Sequence, residues 1–259
     1  MAQDFSVRLK IAGSDVKRIS IGNSQHRGAR PYQEDSFGYT PLDRATKDGF
    51  AAVVADGMGG MSAGDKVSSY TVSAMLEMRN QVSNMSPVPV RFRQMISAIN
   101  QKVCSSGVGG GCTASAVFCC DEGVYWCSVG DSRIYIQRNG MLFQLTEDGD
   151  HQNDLLDEVI AGELMFDEMM CDESKDSLAR YIGFNGELNP DVSITPLIPK
   201  IGDKLLICSD VVYNALSVGE MSRALSLPAQ NAADALLDGI LQKNYPNQDN
   251  CTAVVLEFL

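Results

Sequence analysis

The chain of 259 residues is 44% apolar and 21% charged, the composition of a globular protein able to bury a sizeable core. Its 21 Lys and Arg stand against 33 Asp and Glu, a formal net charge of -12, which argues against a nucleic-acid backbone or an anionic membrane as the main partner. No apolar run reaches the roughly 18 residues of a membrane span and the N-terminus lacks a signal-peptide core. The expected location is therefore cytoplasmic, with the eight cysteines reduced and no C-x-x-C motif to hold zinc or a redox disulfide.

The first residues alternate, with Phe5, Val7, Leu9 and Ile11 on one face, and predict an antiparallel strand. Phe50–Ala55 is an all-apolar run that predicts a strand buried on both faces and ending at Asp56. Gly57, Gly59 and Gly60 then break the strand and let the backbone approach a ligand. Val67, Tyr70, Ala74, Met75, Met78 and Val82 repeat at helical spacing. After Pro87 and Pro89 a second helix carries Phe92, Met95, Ile96, Ile99 and Val103 on one side.

Two hairpins are predicted next: 113–120 with 124–129 around Asp121-Glu122-Gly123, and 134–137 with 141–145 around Arg138-Asn139-Gly140. Together the four strands read as one antiparallel meander, with Asp131 in the turn between the second and third. Residues 147–176 are the main shift in composition, rich in acids opposed only by Lys175, with a helical patch at Leu155, Leu156, Val159 and Ile160. Strands resume at 192–198 and at Lys204–Cys208, which runs into Asp210. A helix with Ala232, Ala233, Leu236, Ile240 and Leu241 and a closing strand over 251–259 complete the chain. With no repeat and no linker, residues 1–259 read as a single domain.

Five short motifs carry the chemistry: Arg30-Pro-Tyr-Gln-Glu34-Asp35, Ala55-Asp56-Gly57-Met58-Gly59-Gly60, Gly130-Asp131-Ser132-Arg133, Ser209-Asp210 and Gln248-Asp249-Asn250. Carboxylates gathered from such distant points repel and raise one another's pKa. A hard divalent cation with oxygen ligands resolves that repulsion, so the pattern points to a metal enzyme that uses Asp rather than His or Cys. The absence of a D-x-[DN]-x-[DN]-G loop argues against a Ca2+-binding module.

In this order, and with Gly111-Cys112-Thr113-Ala114 ahead of the strand leading to Gly-Asp-Ser-Arg, the motifs resemble the metal-dependent Ser/Thr protein phosphatases of type 2C. Met58, where a His can follow Asp-Gly, resembles the bacterial branch. The resemblance implies an α+β fold, a four-layer α-β-β-α sandwich of two antiparallel sheets flanked by helices. It implies hydrolysis of phosphoserine and phosphothreonine in proteins by a hydroxide bridging two Mn2+ or Mg2+ ions. Asp56 is implied to bridge both ions, the Gly57 carbonyl to reach one, and Asp210 and Asp249 to ligate the other. Glu34 and Asp35 are implied to hold metal or its waters, and Asp131 with Asp210 a third, weaker ion. Arg30 is implied to grip the substrate phosphate. Phosphorylated proteins and a cognate Ser/Thr kinase are the implied partners of a monomer, and residues 147–180 stand where the family carries a flap.

Val211 occupies the position after Asp210 where the family has Gly. A β-branched residue avoids positive φ, and this motivates an alternative: a pseudophosphatase that binds a phosphoprotein or partner without turnover. His151 reads as a structural residue and Arg133 as a structural ion-pair partner. No cysteine has a part in the implied chemistry.

Overall fold

A computed structural model describes residues 6–41, 49–58, 63–81, 86–172, 174 and 177–259, the side chains of 78–81 and 153–154 excepted. The expectations placed on Phe5, Gly59, Gly60, the Met78 side chain, Val82 and Lys175 lie outside those residues. Among the described residues eleven strands form two antiparallel sheets. One has six strands in the order β1 (Ser6–Arg8), β2 (Arg18–His26), β11 (Cys251–Phe258), β10 (Lys204–Cys208), β7 (Arg133–Arg138), β8 (Met141–Gln144). The other has five: β3 (Ser36–Tyr39), β4 (Phe50–Ala55), β5 (Ala114–Cys120), β6 (Gly123–Val129), β9 (Asp191–Val192).

All six residues of β4 are buried, as their unbroken apolar run requires of a strand covered on both faces. Ile19, Ile21, Val54, Val117, Ile134, Leu205 and Val254 interdigitate between the sheets. Helices α1 (Gly64–Gln81) and α2 (Val88–Ser106) cover the five-stranded sheet, and α2 buries the predicted Phe92, Met95, Ile96, Ile99 and Val103. The other sheet is covered by α5 (Asp210–Ala215), α6 (Val218–Ala224) and α7 (Ala229–Gln242), with Leu206, Val212, Leu236 and Val255 at the contact. The expected four-layer sandwich is thus present. Two further helices, α3 (His151–Ala161) and α4 (Phe166–Cys171), occupy the acidic segment. No helix of the described residues is long and apolar enough to cross a membrane.

Three expectations are corrected. The four strands β5 to β8 are not one meander: the β5–β6 hairpin belongs to the five-stranded sheet and the β7–β8 hairpin to the six-stranded one. The chain crosses between sheets at Gly130–Ser132, where Gly130 has φ +98 and a Cβ would meet Thr113 Cγ2 at 2.7 Å. The strand expected over 192–198 shrinks to β9 and an isolated bridge between Val124 and Leu197, because Pro196 has no N–H to donate and the Ser193 hydroxyl accepts from the Trp126 N–H at 2.8 Å. Tyr70 of α1 is exposed rather than core, its ring presenting a hydroxyl that prefers water.

Register explains why distant motifs meet. Ser36 pairs with Ala55, so Asp35 before β3 and Asp56 after β4 arrive at the same edge. Cys208 pairs with both Ala253 and Arg133, so Asp210, Asp249 and Asp131 gather at the matching edge of the other sheet. His26 pairs with Cys251 and delivers the 27–34 loop to that same end.

Candidate active site

Asp35 and Asp56 lie at the centre of the gathered carboxylates. Asp35 is buried; its Oδ2 accepts from the Thr252 hydroxyl at 2.7 Å, and its Oδ1 is buried without a partner. Burial, reinforced by the charge of Asp210, pushes the Asp35 carboxyl up to about 6 against hydrogen bonds from Thr252, Ser209 and Asp56. Burial also raises Asp56 well above the carboxylate range, followed by the charges of Asp35, Asp210 and Asp131. Asp131 is pushed up to about 6 by burial and then by Asp210. Asp210 is raised by burial and by Asp249.

Around this centre the backbone is held by hydroxyls and amides. The Asp56 N–H donates to Thr113 Oγ1 at 2.9 Å, and the Thr113 N–H donates to the Asp56 carbonyl at 2.8 Å. Thr113 Oγ1 lies 2.7 Å from Ser132 Oγ, next to Asp131. The Tyr213 hydroxyl donates to the Asp131 carbonyl at 2.9 Å, and the Arg133 guanidinium stacks 3.5 Å from the centre of the Tyr213 ring. Arg133 also forks onto Asp148, with Nη2 at 2.6 Å, which bears out its structural reading.

The 27–34 loop is fastened by Asn250. Its Nδ2 donates to the carbonyls of Arg27 and Tyr32, and its Oδ1 accepts the Glu34 N–H at 2.6 Å. Arg30 on this loop pairs with Asp249. The Glu34 carboxyl stands at the start of α1, 3.0 Å from where a Gly64 Cβ would sit; burial raises it, Arg30 lowers it, and Asp65 and Asp249 raise it further. Gly57 packs so closely under this loop that a Cβ would come 2.3 Å from the Glu34 carbonyl.

The structure therefore brings Arg30, Glu34, Asp35, Asp56, Gly57, Asp131, Asp210 and Asp249 to one end of the sandwich. Among the described residues no three His, Cys, Asp or Glu side chains already close on one point as a ligand set. The donor set nonetheless fits hard divalent cations: it is all oxygen, its carboxyls are raised by burial and by one another, and Asp35 presents a buried oxygen with no partner.

His151 begins α3, where its backbone N–H donates to the Ser177 carbonyl at 2.9 Å, and His26 Nδ1 accepts the Gly28 N–H at 2.9 Å. Cys112 and Cys251 are pushed up to about 12 by burial. Val211 lies in the first turn of α5 and is not among the described non-glycine residues with positive φ, so it does not re-aim Asp210. Sequence reasoning missed Thr113, Ser132, Ser209, Tyr213 and Thr252. Ser132 and Ser209 stand inside motifs and Thr113 inside Gly111-Cys112-Thr113-Ala114, where no role was given to their hydroxyls, while Tyr213 and Thr252 follow motifs by three and two residues.

The family model described as Protein phosphatase 2C matches residues 22–225. The chain belongs to the protein phosphatase 2C family. Within the family it resembles the serine/threonine phosphatase stp of Listeria monocytogenes, 28% identical over 214 residues that span 79% of this chain and 83% of the relative. The serine/threonine phosphatase of S. agalactiae has the same fold, with a TM-score of 0.76 and 27% identity over 93% of this chain and 100% of that one. The catalytic domain of PstP, solved in complex with two manganese ions, superposes with a TM-score of 0.69 and 24% identity over 93% and 98% of the two chains.

Proposed function

We propose that this protein phosphatase 2C family member hydrolyses phosphoserine and phosphothreonine esters in proteins, with Glu34, Asp35, Asp56, the Gly57 carbonyl, Asp131, Asp210 and Asp249 holding divalent cations and Arg30 holding the phosphate. The observation that carries the reading is the convergence of carboxylates from both sheets beside one guanidinium. Relatives named as serine/threonine phosphatases support the reaction, and the two manganese ions of the PstP complex support the choice of cation. Mn2+ or Mg2+ would match the all-oxygen donor set, with Asp56 serving two ions and Asp131 with Asp210 a weaker third.

When bound, the cations supply Lewis acidity and an activated water. The protein's own part is to aim that chemistry. Thr252 and Ser209 orient Asp35 by hydrogen bonding, and Thr113 holds the backbone of Asp56 from both sides. Arg30 presents a planar fork able to bind two phosphoryl oxygens at once, neutralising charge as the ester bond breaks. The family's flap corresponds to residues 147–180 of a single catalytic domain, 1–259, acting in the cytoplasm on substrates made by a Ser/Thr kinase.

The test is phosphate release from a phosphothreonine peptide in Mn2+, in Mg2+ and in EDTA. Turnover with metal, abolished by EDTA and lowered at least about a hundredfold in Asp56→Asn, is expected. Equal turnover in EDTA, or wild-type rates in Asp56→Asn, overturns the assignment.

A further inference from the structure

A second concave site lies between α1 and α2, in the helical layer over the five-stranded sheet, and shares no residue with the carboxylate cluster. Its floor is Val67 of α1 and Val103 of α2, both buried. Its walls are Lys66 and Tyr70, one turn apart on α1, and Lys102 and Ser106, one turn apart on α2. Gly107, at φ +68, ends α2, and Val108 beyond it completes the lining. The space is ≈ 250 Å3, which suits a ring or a short acyl chain better than a protein epitope.

Charge specifies the occupant. Lys66 and Lys102 are exposed at the same apolar groove, and among the described residues neither has an ion-pair partner. Asp65, next to Lys66 in the chain, acts instead on Glu34. Helix α2 carries Arg91, Arg93 and Lys102 and no acid, a cationic stretch in a chain of net charge -12. The Ser106 hydroxyl is spent on the backbone, donating to the Val103 carbonyl at 2.7 Å and accepting the Val108 N–H at 3.3 Å. What the lining offers a ligand is therefore two ammoniums, the ring of Tyr70, which is 41% exposed despite lying on the apolar stripe of α1, and a valine floor. Two like charges at one apolar groove repel, and an anion between them relieves that repulsion.

We propose that the α1–α2 groove binds a small amphipathic anion. Its ring or short acyl chain lies on the valine floor against Tyr70, and its carboxylate or phosphate sits between Lys66 and Lys102. The same two ammoniums repel metal ions and cationic peptides, so the groove takes the class of ligand that the carboxylate cluster repels. The inference does not depend on the phosphatase reading.

The probes are octanoate and phenylphosphonate, whose P–C bond resists hydrolysis, each titrated into the metal-free full chain with its valine methyls labelled for NMR. Saturable shifts at Val67, Val103 and Val108 are expected below about 10 mM. Lys66→Gln with Lys102→Gln is expected to weaken binding at least about tenfold, whereas Lys66→Arg with Lys102→Arg stays within about threefold. Tyr70→Ala should weaken it about fivefold or more through lost ring contact. Octanol and benzyl alcohol, which keep the apolar body and lack the charge, should bind at least about tenfold more weakly. All three side chains are exposed, and an unchanged melting temperature verifies the fold of each variant.

Saturation by either anion, sensitive to the paired glutamine variant, supports the proposal, and the anion that binds names carboxylate or phosphate as the head group. Saturation by neither overturns it, as does equal affinity for the neutral alcohols or binding indifferent to loss of both lysines. A concentration-dependent dimer abolished by the glutamine variant reassigns the groove to a second copy of the chain and overturns it too.

Discussion

The guanidinium of Arg30 pairs with the carboxylate of Asp249, so the group assigned to phosphate is held by a group assigned to metal. Both side chains are nearly half exposed, and a pair in that setting is worth about 0–1 kcal/mol. A cation held at Asp249, as proposed, would displace Arg30 at small cost and free its fork for the proposed contact with phosphate. Arg30→Ala is expected to tighten Mn2+ binding without substrate by up to about fivefold. The same change is expected to raise KM for a phosphothreonine peptide about 30- to 150-fold, the equivalent of a lost charged hydrogen bond of about 2–3 kcal/mol. Mn2+ titration followed by the electron paramagnetic resonance of the free ion, beside steady-state kinetics, checks both. Weaker Mn2+ binding in Arg30→Ala counts against the competition.

The raised carboxyls set a pH dependence for the metal-free protein. Asp35 and Asp131 hold protons to about 6 in the fold, against an unfolded value near 3.8. Between those values the native state binds more protons than the unfolded chain, so stability falls as pH rises. Their favourable contribution is full below about 4 and gone above about 6. Denaturant unfolding in EDTA from pH 4 to 7 should show this decline, and Mn2+ should reverse it, with its affinity climbing through the same window as protons leave its ligands. A metal-free stability that rises across this window contradicts the assignment of these two shifts.

Val211 is the position at which the sequence departs from the family pattern, and its place in α5 makes the departure harmless. Glycine there would loosen a helix start and remove side-chain packing against the helical layer. Val211→Gly is expected to leave kcat within about twofold while lowering stability by about 1 kcal/mol, a shift of roughly 2–4 °C in melting temperature for a chain of this size. Activity appearing only in Val211→Gly restores the binding-only reading.

Legibility followed locality. Asn139-Gly140 was readable as a turn because both residues adopt positive φ, at 54 and 76, which few other residue pairs do at low cost. The carboxylates were readable because each ends or precedes an apolar strand. Which sheet each hairpin joins was not readable, since β5–β6 and β7–β8 have the same local pattern and only their distant partners, β4 and β10, separate them. The strand at 192–198 was overread for a related reason: its β-forming composition conceals that Ser193 and Pro196 interrupt the ladder. The hydroxyls of Thr113 and Thr252 went unseen because a threonine beside a strand reads as a strand former until its partner across the sandwich is known.

Thr113 deserves a direct experiment, because its one hydroxyl accepts the Asp56 N–H and meets Ser132 beside Asp131. Its methyl packs on Gly130, so the residue fixes the spacing between two carboxyls that belong to different motifs. Valine keeps the shape and removes the hydroxyl, leaving a buried N–H unsatisfied at a cost of about 1–3 kcal/mol. Thr113→Val should therefore lower the melting temperature and also weaken Mn2+ binding several-fold, because Asp56 loses its fixed backbone. Thr113→Ser retains the hydroxyl and should recover most of the Mn2+ affinity. The two readouts separate the possibilities: a lower melting temperature with unchanged Mn2+ binding makes Thr113 a structural residue alone, whereas loss in the valine variant with recovery in the serine variant shows that its hydroxyl positions Asp56 for the cation.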